Sequence, residues 1–208
     1  MIINLKEDLH IHCNYNDHSD VDLTIPNVIK RAEDLKLERI AFTEHVRKSS
    51  EWTRRYLNEL DQYSQVTNIQ VLKGFEAKIL PDGSIDCPDE FISDDYFIIA
   101  SFHKKYDKEI WLNSLLQAIK NPCVNVIGHL APEAEFTLDD EQIYNIGKSL
   151  IENNKIIEIN AKYIRPPLNF LEIFIKLGVK FHVGSDAHKL EDIGDFNRIM
   201  HLINLIEK

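Results

Sequence analysis

Cysteine is scarce in this chain. Only Cys13, Cys87 and Cys123 are present, scattered and odd in number, and no Cys-x-x-Cys occurs. That argues against a disulfide framework and fits a reducing cytoplasm. No apolar run is long enough to span a bilayer, and no charged-then-apolar leader opens the sequence, so neither membrane insertion nor secretion is expected. Linkers, repeats and low-complexity tracts are also missing. Positive charge is short: 24 Lys and Arg stand against 34 Asp and Glu, a formal net charge of −10. Broad binding to a nucleic-acid backbone needs many basic contacts and is disfavoured. Divalent ions would reverse that sign locally, so the argument weakens at a metal site.

What is present is an ordinary globular composition, 44% hydrophobic and 28% charged, over 208 residues. One domain, 1–208, with a well-buried core is expected. Short apolar runs alternate with helical patterns almost throughout. The run Met1–Leu5 leads into Asp8-Leu9-His10-Ile11-His12. Further strands are predicted at 39–43, 69–75, 96–100, 124–127, 155–160 and 179–183. Helices are predicted over 26–37 with Thr24 as its cap, then 51–65, 107–120, 138–153, 168–177 closed by Gly178, and 191–207. Pro81-Asp82-Gly83-Ser84 reads as a small hairpin turn. About seven strand–helix units predict a parallel α/β domain. A distorted (βα)7 barrel of TIM-like type is the first reading and an open doubly wound sheet the second.

The polar singletons bear on that choice. His10 and His12 lie two apart in an extended chain and share a face, so both can converge on one ion. Imidazoles suit zinc, manganese or iron. His45, Glu76, His103, His129, Asp186 and His188 all fall at or just past a strand's carboxyl end. In a barrel those ends form one rim, where active sites are built, whereas in an open sheet they spread along a line.

Asp8-Leu9-His10-Ile11-His12, His18, Thr43-Glu44-His45, Gly74-Phe75-Glu76, Ser101-Phe102-His103, Gly128-His129 and Gly184-Ser185-Asp186-Ala187-His188 together resemble the polymerase and histidinol phosphatase (PHP) family. The resemblance covers nearly the whole chain. It implies a metal-dependent phosphoesterase in a distorted (βα)7 barrel with three divalent ions, Zn, Mn or Fe. It assigns His10, His12, Glu76 and Asp186 to a first ion, Glu76, His103 and His129 to a second, and His18, His45 and His188 to a third. Two ions about 3.5–4 Å apart want a bridging carboxylate, the part given to Glu76. The resemblance further implies a bridging hydroxide as nucleophile. Glu76, Asp186 and His188 are the candidate catalytic residues.

Other residues take lesser parts in this reading. Glu44 and Asp8 are candidates to orient an imidazole. Asp17 is read as turn chemistry, Cys13 and His182 as core, and His201 as surface. Arg165, Lys162, Lys104, Arg47 and Lys78 are candidates for a phosphate clamp on rim loops, with Lys105 nearby. Strand six contributes no metal ligand, so the loop 161–167 after it leaves a rim position free for substrate. Standalone members resembling histidinol-phosphate phosphatases are generally longer, so short substrate loops are expected here. The first functional reading is hydrolysis of a small-molecule phosphomonoester. A phosphodiesterase or 3′–5′ exonuclease is the alternative, and a non-catalytic metal-stabilised binding module the third.

Overall fold

The computed structural model describes residues 2–132 and 136–208. Its strands are β1 (Glu7–Ile11), β2 (Arg39–Val46), β3 (Gln70–Lys78), β4 (Phe97–Ser101), β5 (Val126–Ile127), β6 (Ile156–Asn160) and β7 (Lys180–Gly184). They pair in chain order and every pair is parallel. The helices are α1 (Ile25–Asp34), α2 (Thr53–Ser64), α3 (Lys108–Lys120), α4 (Asp140–Glu152), α5 (Leu168–Leu177) and α6 (Met200–Ile206). The sheet curls until β7 meets β1. Closure rests on a parallel bridge between Ile11 and Ala187, with Asp186 N donating to His10 O at 2.8 Å and His12 N to Ala187 O at 3.1 Å. Consecutive strand order plus this closure makes a seven-stranded TIM-like barrel and rules out the open sheet.

Alternation along each strand sorts the side chains. Ile11, Phe42, Phe75, Ile98, Ile127 and Ile157 are fully buried members of one apolar layer shared with the helices. Burying each such side chain stabilises the fold by roughly 1.5–3 kcal/mol. Residues of the other parity face the barrel interior. There, branched aliphatics usually dominate, but here His10, Glu76, Ser101 and Glu158 are buried against one another.

Local chemistry explains the element ends. Thr24 caps α1 by accepting from Asn27 N, Asp107 caps α3, and Asp139 with Gln142 forms a capping box on α4. The hairpin is present, with Leu80 N donating to Ser84 O and Ile79 bridging Ile85, and no α-helix separates β3 from β4.

Two expectations shift. Of the run Met1–Leu5, Met1 lies outside the described residues, Ile2 is 90% exposed, and β1 begins only at Glu7. The long final helix is two short 3-10 turns, Leu190–Asp192 and Asn197–Ile199, followed by α6. Gly194 interrupts it with a φ of 68° and an amide that donates to Asp8 Oδ2. A helical path would break that bond.

Candidate metal centre

The rim at the strands' carboxyl ends is organised around Glu76. This side chain is buried near the end of β3. Its Oε1 accepts from Ser101 Oγ at 2.6 Å and lies 2.9 Å from both His103 Nε2 and His129 Nε2. Its Oε2 lies 2.7 Å from His45 Nδ1 and 3.6 Å from the Nε2 atoms of His10 and His12. Burial pushes the Glu76 carboxyl up, but the charges of His103, His45 and His10 outweigh it and hold the group well below the usual range.

Asp186 completes the other side. It follows β7 in the left-handed region, φ 54°, which aims Oδ1 to within 3.2 Å of His12 Nε2. Burial opposes its ionisation, yet His10 and His12 keep its pKa low. Burial disfavours their charge, yet Glu158, with Asp186 and Glu76, raises His10 well above its ordinary value, and Asp186 with Glu44 raises His12 to about 9. His188 moves the other way, to about 4, because burial and the neighbouring His12 both disfavour its charge. Burial likewise lowers His45.

Each inner imidazole is held from behind. His10 Nδ1 lies 2.6 Å from Glu158 Oε1, and His12 Nδ1 lies 3.4 Å from Glu44 Oε1. Glu44 also accepts from the amides of Cys13 and His45 and from Asn16 Nδ2. Glu44 is thus a buried carboxylate placed to orient His12, not a solvated loop residue. Asp8 instead accepts from the amides of Ser185 and Gly194, stitching the chain after β7 to β1; burial raises its carboxyl to about 6.

Three groups of donor atoms lie close enough to share an ion: His10, His12 and Asp186; His45, Glu76 and His103; and His12, His45 and His188. Three of these atoms, His10 Nε2, His12 Nε2 and Glu76 Oε2, are buried with no hydrogen-bond partner. Buried polar atoms normally find partners. Ligands roughly 2.0–2.1 Å from a tetrahedral ion stand about 3.4 Å apart, close to the 3.6 Å separations between Glu76 Oε2 and the two Nε2 atoms. The donor set thus fits a divalent transition metal.

Eight of the nine expected ligands sit in this cluster. His18 is apart: its side chain is 63% exposed and its ring centre lies 6.1 Å from that of His45. It rides on a loop rather than a strand end, with its amide bound to Asn16 Oδ1, while His12 sits with His45 and His188. The cluster opens into a cavity of about 500 Å³, which His18 borders together with Phe102, Lys162 and Tyr163. Lys162 Nζ reaches 3.3 Å from Asp186 Oδ1 and 3.0 Å from His188 Nδ1. Arg165 lies beyond Tyr163 in a side cavity, and Arg47 and Lys78 border a small cleft next to His45. Lys104 is exposed and does not line these cavities. Asp17 and His201 are exposed, Cys13 is buried, and His182 is buried with Nδ1 2.9 Å from Val183 O.

The sequence assigns no role to Glu158 or Asn160, and Ser101 enters it only as part of the motif around His103. A charged residue within the apolar run of β6 was the available signal for Glu158.

Fold and rim define a TIM-like parallel barrel with a candidate metal centre at the carboxyl ends of its strands. The family pattern described as the PHP domain matches residues 8–162, and the chain belongs to that family. The match holds His10 through His129; Asp186 and His188 lie beyond it. A protein of Acetivibrio thermocellus named a probable phosphatase is 27% identical over 96% of this chain and 86% of its own length. The Bacillus subtilis DNA polymerase/3′-5′ exonuclease PolX is 25% identical over 92% of this chain, which spans 35% of that protein. Among solved structures, one from Listeria monocytogenes described as a histidinol phosphatase, hisK, superposes with a TM-score of 0.70 at 16% identity, covering 91% of this chain and 97% of the other. Among the described residues no helix is long and apolar enough to cross a membrane.

Proposed function

We propose that this protein hydrolyses a small-molecule phosphomonoester with divalent transition-metal ions, Zn, Mn or Fe, held by the rim cluster. The observation that carries this reading is the convergence of the buried atoms His10 Nε2, His12 Nε2 and Glu76 Oε2, none of them satisfied by a hydrogen bond, beneath the cavity. His10, His12, Glu76 and Asp186 would hold one ion, Glu76 with His103 and His129 a second, and His45 with His188 and either His12 or His18 a third. Bound ions there supply Lewis-acid stabilisation of phosphoryl oxygens and a water pKa lowered to roughly 7.

The chain's own residues do the rest. Glu76 and Asp186 are ionised and keep the cradle anionic for cations. The lowered pKa values of His45 and His188 favour the neutral imidazole, which keeps one ring nitrogen free to bind a cation. Lys162 places an ammonium at the cavity wall, where a phosphate oxygen pairs with it. Tyr163 walls the cavity beside His129, with ring centres 5.0 Å apart, and offers an apolar face to the organic part of the substrate. A cavity of about 500 Å³ suits a small ligand.

Kinship with PolX favours a second reading, phosphodiester or 3′–5′ exonuclease cleavage. A panel of phosphate monoesters and single-stranded DNA, assayed with manganese, zinc and iron, separates the two. Monoester turnover abolished by chelator supports the first reading. Degradation of DNA with monoesters untouched supports the second. Inertness with every metal favours a binding module.

A further inference from the structure

We infer that Glu158 is a positioning residue that holds three candidate ligands in binding geometry: His10, His129 and, through Asn160, Asp186. The inference rests on the metal-centre reading above. Strand β6 contributes no ligand of its own, yet it sits between the strands that do. Glu158 is fully buried there. One oxygen lies 2.6 Å from His10 Nδ1, and the other accepts from His129 N at 2.7 Å and from Asn160 Nδ2 at 3.1 Å. The same Asn160 amide nitrogen lies 3.2 Å from Asp186 Oδ2.

Each contact does something different. Holding a proton on His10 Nδ1 makes Nε2, which faces Glu76, the nitrogen that gives up its proton to an ion. The bond to His129 N anchors a backbone with φ of 27°, a region that non-glycine residues seldom occupy. Asn160 carries the same grip to Asp186. One carboxylate therefore registers residues on opposite sides of Glu76.

The neighbouring strands leave room for it. A Cβ at Gly184 would stand 2.2 Å from Glu158 Oε1, and one at Gly128 would stand 3.3 Å from Oε2 and 2.6 Å from Ile99 Cγ2. Glycine at both positions admits the carboxylate between β5 and β7. The Gly128-His129 and Gly184-Ser185-Asp186 segments thus combine a space for Glu158 with a ligand it serves.

Glu158→Gln keeps the volume but cannot accept from both His10 Nδ1 and His129 N. Zinc affinity by indicator competition and proton–nitrogen NMR of the histidines test the inference. In the wild type, His10 should show a low-field Nδ1 proton. In Glu158→Gln the single acceptor oxygen serves one of the two, so either the His10 signal vanishes or the His129 amide resonance shifts, and zinc affinity should fall about 10–100-fold, with circular dichroism unchanged. Zinc affinity within twofold of wild type, with the His10 signal intact, overturns the inference. Should the variant not fold, the wild-type spectrum still decides, because a missing Nδ1 signal overturns it too. Hydrolysis is not read in either measurement. A wild type that binds zinc but leaves phosphate esters intact with zinc, manganese and iron refutes the proposed function alone, and one that binds none of the three metals refutes both.

Discussion

Glu76 Oε2 and His45 Nδ1 lie 2.7 Å apart, and Oε1 of the same carboxylate is shared by His103 and His129. One buried negative charge thus serves imidazoles from β2 and from the loops after β4 and β5. Removing it should undo more than one ion site. Glu76→Gln is expected to lower bound metal by more than one equivalent and activity by more than about a hundredfold. His18→Ala, on an exposed ring, should keep most of its metal. Elemental analysis of both variants checks this, and equal metal loss would contradict the central place of Glu76.

Lys162 reaches the cluster directly, its Nζ 3.3 Å from Asp186 Oδ1 and 3.0 Å from His188 Nδ1. Loss of a charge-assisted phosphate contact is worth roughly 1.5–3 kcal/mol, or about ten- to a hundredfold in kcat/KM. Lys162→Ala should show that loss with metal content intact. Arg165→Ala should cost less, because Arg165 lines the side cavity beyond Tyr163. Steady-state kinetics on metal-replete variants rank the two. The reverse order would move the phosphate toward the side cavity.

Metal uptake should depend steeply on pH. His12 is raised to about 9 and His10 well above its ordinary value, so both carry protons at neutral pH in the metal-free protein. An ion binding their Nε2 atoms must displace those protons. Affinity should therefore rise with pH, between one and two decades per unit over pH 6 to 8. Zinc competition titrations at three pH values measure the slope. A flat profile would mean that these imidazoles are not displaced by the ion.

Lys155 offers a stability test away from the rim. It begins the segment before β6, is 5% exposed, and donates to the carbonyls of Val124 at 2.6 Å and Asn121 at 2.7 Å. Burial lowers its pKa, but the bonds satisfy its protons. Lys155→Met would remove the donor to the buried Val124 carbonyl, while Asn121 O keeps the Val124 amide at 3.2 Å, at a cost of about 1–3 kcal/mol. The thermal midpoint should fall by several degrees while zinc affinity holds. An unchanged midpoint would show that water replaces the ammonium without loss.

The sequence by itself determined the alternation of strands and helices, because hydrophobic period and capping residues such as Thr24, Asp107 and Asp139 act over a few neighbours. It also determined most of the candidate ligands, because a polar residue at the end of an apolar strand stands out against that pattern. Tertiary structure decided the rest. Whether the strands close into a barrel depends on Asp186 meeting His10 and Ala187 meeting His12 across the length of the chain, contacts no local pattern encodes. The final helix fails because Gly194 bonds to Asp8, a residue 186 positions away. His18 has the right residue type but no strand to aim it, so its place is set by a loop. Glu158 has no motif of its own, and its role exists only because β6 packs between Gly128 and Gly184 and leaves the carboxylate facing His10.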